Sequence, residues 1–183
     1  MKKTTDRLFR PIFPAAVLAG GKIPFLAIDG ARGFDIPVRA VVDLAWEKAN
    51  PRVRKTIHDL KKKPYILQRG KTIRLGTGVA IELPKAYRGF GVASFVKPRG
   101  SAIKNEIAIL DCSVPVDYGF GSEAVLTVRN DGKKPFAIHH HQRLAQYMFF
   151  PVIMPRFKSV AVGKLNKLHG FARGNHSHGF TGT

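Results

Sequence analysis

Glycine and proline recur from one end of this chain to the other, 18 and 12 of them among 183 residues, and no linker collects them. The stretches between them are short and rich in Val, Ile, Leu and Phe, which predicts many short strands joined by tight turns. Thr72-Ile73-Arg74-Leu75 alternates towards Gly76-Thr77-Gly78, and Val79-Ala80-Ile81-Glu82-Leu83 alternates away from it. Phe90 to Val96, Glu106 to Leu110, Ala124 to Val128 and Leu144 to Phe150 read as further strands. Asn130-Asp131-Gly132-Lys133 is a turn signal, because Asn, Asp and Gly tolerate positive φ.

One segment breaks the strand rhythm. Asn50-Pro51 has the form of an N-cap followed by proline at the first helical position, and Val53, Ile57 and Leu60 recur at i, i+4 and i+7 until Pro64. Arg52, Arg54, Lys55, Lys61, Lys62 and Lys63 fill the other face. The spacing predicts a short basic amphipathic helix. Its lysines either stay solvated or meet a nucleic acid or a partner protein through the 52–63 segment.

Charge narrows the ligand. With 31 Lys and Arg against 12 Asp and Glu the formal charge is +19, which favours an anionic ligand or partner. The length suits one domain with a buried core. The single cysteine, Cys112, excludes an intrachain disulfide framework and a zinc site of several thiolates. Phe13-Pro14-Ala15-Ala16-Val17-Leu18-Ala19 is too short and too broken by proline to span a bilayer. Asp6, Arg7 and Arg10 part it from Lys2 and Lys3, unlike a signal peptide, so no membrane association and a cytoplasmic location are expected.

Five polar, glycine-bearing stretches punctuate the strands: 30–36, 98–102, 111–121, 142–146 and 173–183. Arginines and small hydroxyls beside glycines suit a polyphosphate, since guanidinium binds phosphate bidentately and glycine lets backbone N–H groups approach. Aspartates in that positive setting are candidates for holding Mg²⁺ or activating water.

On these five stretches, in order and with their connecting strands, the sequence resembles the trimeric dUTPase family, the all-β dUTP nucleotidohydrolases related to dCTP deaminase. The resemblance runs from about Ile23 to the last residue and includes Leu75-Gly76-Thr77-Gly78-Val79 as a counterpart of the family's strand and turn. It implies an all-β jelly-roll or β-clip barrel, with the short helix in an insertion at about 41–67. It also implies a homotrimer with sites at subunit junctions. Residues 1–168 would form the β domain and 169–183 an arm closing over a neighbour's site. The activity implied is Mg²⁺-dependent conversion of dUTP to dUMP and pyrophosphate.

Carried over by residue, Asp35 would sit near the Mg²⁺ that the triphosphate chelates. Arg99, Gly100 and Ser101 would meet phosphates, Asp117 would deprotonate the attacking water, and Phe120 would pack on the deoxyribose. Gln146 and Arg173 would hold phosphates, and Phe180 would cover the base. Arg143 either pairs with an internal carboxylate or binds substrate. His139-His140-His141 has the look of a metal-ligand run, but consecutive side chains on an extended strand point apart, and the resemblance places it at a polar hairpin turn.

Departures bear on specificity. Thr127 stands where the deaminases carry their catalytic glutamate, so deamination is not expected. Arg99-Gly100-Ser101 replaces an Arg-Ser-Gly order, Arg32 adds a charge, and the last stretch carries Asn175-His176-Ser177-His178. Asp111 replaces a common asparagine, and a carboxylate suits an exocyclic amine such as N4 of cytosine better than O4 of uracil. Two alternatives therefore stand beside dUTP: hydrolysis of dCTP or another deoxynucleoside triphosphate, and a dUTPase-like binding or regulatory protein with impaired catalysis.

Overall fold

The strands expected from alternation are present in the computed structural model, which describes residues 12–111, 115–116, 118–119, 121–161 and 164. In chain order they are β1 (Ala15–Val17), β2 (Phe34–Pro37), β3 (Ala40–Trp46), β4 (Arg54–Asp59), β5 (Tyr65–Leu67), β6 (Thr72–Gly76) and β7 (Val79–Ile81). There follow β8 (Phe90–Pro98), a five-residue helix α1 (Gly100–Lys104), β9 (Ile107–Ile109), β10 (Pro115–Val116), β11 (Val125–Asn130), β12 (Phe136–Ile138) and β13 (Arg143–Ile153). No helix among the described residues is long and apolar enough to cross a membrane. A second unit, residues 154–183, has no described residue in a strand, and the boundary expected at 168/169 lies outside the described residues.

Two sheets carry the core. One has the order β10-β8-β13-β2 and the other β4-β3-β6-β11-β9, with β1-β7 and β12-β5 as two-stranded ribbons. Ile36, Leu144 and Tyr147 of the first and Val41, Leu75, Leu126 and Val128 of the second join one buried cluster. Each such aliphatic side chain contributes about 1.5–3 kcal/mol on leaving water, which pins the inward register of both sheets.

The helix expected over the basic segment is a strand instead. β4 pairs antiparallel with β3, Val42 opposite Thr56 and Ala40 opposite Asp59. Asn50 Oδ1 does accept the Arg52 N–H, as an N-cap would, but the Asn50 carbonyl accepts from Val53 and Glu47 N–H donates to the Val53 carbonyl, which closes a hairpin. Tertiary partners then claim the backbone: Arg54 N–H donates to Glu123 Oε2 and Thr56 N–H to Glu47 Oε1. The same residues also alternate with period two, Lys55 and Ile57 outward and Thr56 inward, and that period prevails over the helical one.

A buried ion pair organises this corner. Glu123 is 0% exposed and receives a bidentate guanidinium from Arg39 at 2.7 and 2.8 Å, together with the Gly78 N–H at 2.8 Å. Arg39 also donates to Thr56 Oγ1 and the Arg54 carbonyl. Removing one partner of so dry a pair costs about 3–5 kcal/mol. Next to it Gly78, at φ +69°, meets Gly21 backbone to backbone, so the Gly76-Thr77-Gly78 turn is a corner feeding β7 to β1 rather than back along β6.

The turn at 130–133 is present but has another cause. Asn130 is buried, its Oδ1 accepts the Gly132 N–H, and its amide donates to the Leu67 and Lys134 carbonyls. None of Asn130, Asp131 and Gly132 has positive φ.

Candidate active site

Sheet order brings distant sequence together. β13 lies between β2 and β8, with Gln146 opposite Asp35 on one side and Lys97 on the other. The stretches near residues 35, 99 and 143–146 are therefore neighbours along one edge. Asp35 is 2% exposed, and its backbone is held from both sides by Phe25. Its Oδ2 takes Arg99 Nη1 at 3.0 Å and Arg143 Nη1 at 3.1 Å. One carboxylate neutralises one of two cations, so a net positive charge remains facing partly open space. That is a site for an anion.

Glycines shape its walls. A Cβ on Gly33 would land on the end of the Gln146 side chain, so only glycine lets Gln146 lie where it does. A Cβ on Gly100 would meet nothing within 4 Å, which leaves room for a ligand. Arg99 is the extended residue that opens α1, and Ser101 Oγ lies 3.5 Å from the Arg143 carbonyl. Among the expected site residues, Asp35, Arg99, Gly100, Ser101 and Gln146 are thus gathered in one place. Arg143, for which two roles were open, does pair with an internal carboxylate and stands at this site. Its guanidinium also lies 5.7 Å from the Phe25 ring centroid.

Asp111 is elsewhere. Its Oδ2 accepts the Thr127 N–H at 2.8 Å across the β9–β11 edge, and its Oδ1 is buried without a hydrogen-bond partner among the described residues. No described hydrogen bond or ion pair joins it to the Asp35 cluster. Tyr147, buried in β13, has its phenol held above the usual range, by burial first and by the Asp111 charge second. Asp117, Phe120, Arg173 and Phe180 lie outside the described residues.

Among the described residues no three His, Cys, Asp or Glu groups converge on a cation site. Asp35 spends Oδ2 on two guanidiniums, the geometry of an anchor for arginines, and these residues do not fit a Mg²⁺ site held by the chain. His139-His140-His141 forms the turn into β13, with His140 and His141 stacked at 3.7 Å and both reaching the Gly20 carbonyl.

Sequence reading missed Arg39, Glu123 and α1. Arg39 and Glu123 stand 84 residues apart, each alone in an apolar neighbourhood, and no local pattern couples them.

No protein-family profile matches the chain. It is similar to a protein of Desulfitobacterium hafniense named deoxyuridine 5'-triphosphate nucleotidohydrolase, 32% identical over 137 residues that cover 74% of each chain. The fold resembles that of a point mutant of the dUTPase of Staphylococcus bacteriophage 80alpha, with dUpNHpp, at a TM-score of 0.64 and 15% identity over 95% of this chain and all of that one. It also resembles a mutant dUTPase of phage phi11 of S. aureus, described for its coordination of a structural Mg(II) ion, at a TM-score of 0.59 and 13% identity over 82% and 97%.

Proposed function

The chain belongs to the deoxyuridine 5'-triphosphate nucleotidohydrolase family, and on that premise we propose that it hydrolyses dUTP to dUMP and pyrophosphate. The observation that carries this reading is the pairing of Arg99 and Arg143 on the one buried carboxylate of Asp35, which leaves positive charge where a triphosphate would lie. Arg99, Gln146 and the Gly100-Ser101 backbone hold the phosphates, with Arg173 and Phe180 supplied by the last stretch. Phe120 presses on C2′ of the sugar, which favours a deoxynucleotide over a ribonucleotide.

In this reading Asp117 takes a proton from water as the water oxygen attacks the α-phosphorus. The bond from that phosphorus to the bridging oxygen breaks, and pyrophosphate leaves with the electron pair. Mg²⁺ enters only as the triphosphate's own counter-ion. A homotrimer with sites shared between subunits is part of the same proposal.

Pyrophosphate release measured with each deoxynucleoside triphosphate tests the substrate. Asp117→Asn is expected to lower kcat by about 10²–10⁴-fold with the oligomer intact. Full activity in that variant would remove Asp117 as the base, and silence of the unaltered protein with every nucleotide would leave a binding protein of this fold.

A further inference from the structure

Six exposed cations lie on the β3–β4 hairpin and its flanking turns: Lys48, Arg52, Lys55, Lys61, Lys62 and Lys63. The four ion pairs among the described residues use none of them. The hairpin's own acids are engaged with backbone: Asp43 Oδ1 accepts the Leu44 N–H at 2.6 Å, Glu47 Oε1 the Thr56 N–H at 2.9 Å, and Asp59 Oδ1 the Lys61 N–H at 2.9 Å. β4 is also the outermost strand of its sheet, so this edge has no neighbouring strand among those described.

Aromatic surface interrupts the charge. Trp46 is 38% exposed, and the Arg54 guanidinium lies 3.4 Å from its ring centroid while Arg54 Nη1 donates to the Leu44 carbonyl. The guanidinium covers one face of the ring and holds it with little side-chain freedom left to lose, so a base would stack on the opposite face. Leu44 and Ile57 are exposed beside it.

Cations on β4 and on the turns at its two ends, a span of roughly 20 Å, set around a fixed indole, match a single nucleic-acid strand. Phosphates fall to the lysines, and an unstacked base offers its face to the ring. A duplex keeps its bases stacked and gains nothing from Trp46, and a membrane surface asks for an amphipathic helix that this segment does not form. We propose that the outer edge of the β3–β4 hairpin binds single-stranded nucleic acid, with its phosphates on the lysines and a base on Trp46. The site is separate from the Asp35 cluster and does not depend on which nucleotide is hydrolysed.

Trp46 is the only tryptophan in the chain and reports directly. A thymidine 15-mer titrated into the full-length protein at 50 mM salt is expected to quench its fluorescence saturably. The logarithm of affinity should fall with that of salt at a slope of about −2 to −3, for three or four phosphates at about −0.7 each. Lys61→Ala/Lys62→Ala/Lys63→Ala, altering exposed side chains only, should weaken binding at least about tenfold and flatten the slope by about 2, with nucleotide hydrolysis unchanged. Saturating dUTP should not displace the oligonucleotide. Absence of quenching at 50 mM salt, equal affinity in the triple variant, displacement by dUTP, tighter binding of the matching duplex, or binding only to phosphatidylserine vesicles would each overturn the proposal.

Discussion

Two guanidiniums converge on one oxygen of Asp35, and that arithmetic gives the site its character. Burying a carboxylate is costly unless it is paired, and a single arginine would have left the pair neutral. The second leaves a surplus cation, held in place by the chain's own charge before any ligand arrives. Gln146 stands beside it because residue 33 has no side chain. Gly33→Ala would put a methyl group on the end of the Gln146 side chain, and a flexible amide can swing away, so the fold should lose less than about 1 kcal/mol. A charge-assisted hydrogen bond to phosphate is worth about 1.5–3 kcal/mol, so KM for dUTP should rise about tenfold or more. We expect kcat to stay within about twofold and the melting temperature to move by only a few degrees. Steady-state kinetics beside a thermal melt checks this, and an unchanged KM would mean that Gln146 does not hold phosphate.

At the scale of elements, the strands with one clean period were legible and those with two were not. Thr72 to Leu75 alternates without competition and lies in β6, and the apolar runs Phe90 to Val96 and Val125 to Val128 lie in β8 and β11. Residues 53–60 carry a helical stripe and a strand alternation at once, and the choice between them falls to Glu47, Glu123 and Arg39, whose contacts are made through space. Asp35, Arg99 and Gln146, which the structure gathers, were legible as candidates because each sits in a short polar stretch, but Asp111 sits in one too and is tied to Thr127 instead. The sequence could not show that Arg143 would turn inward, because its partner lies 108 residues away. Strand and helix differ in what they ask of two residues. In a helix Ile57 and Leu60 share one apolar face, whereas here Ile57 is 64% exposed and Leu60 is 3% exposed. Ile57→Ala should therefore cost under about 0.5 kcal/mol and Leu60→Ala about 2–5 kcal/mol in urea unfolding. Comparable losses from both would restore the helix.

For the whole molecule, charge sets the response to acid. A chain at +19 gains self-repulsion with every proton it takes up, and the turn into β13 holds a group that resists protonation. His141 sits at φ +59°. Its pKa is lowered from 6.5 by burial first, and then by the charges of His140, Lys22 and Lys61, against the Gly20 carbonyl that raises it. A folded pKa below the unfolded one means that the unfolded chain binds the extra proton first. This contribution is thus fully present above about pH 6.5 and is lost as pH falls from there through the folded value. Asp131, lowered from 3.8 by its hydrogen bond to Arg129, acts in the same sense, but only below about pH 4 and in full contact with solvent, where screening leaves it little weight. The melting temperature should therefore hold level from pH 8 to about 7 and decline towards pH 5. His141→Asn keeps a residue that tolerates positive φ and removes the titrating ring, so its profile over pH 7 to 5 should be flatter than that of the unaltered protein. Parallel profiles would move the acid sensitivity away from this turn.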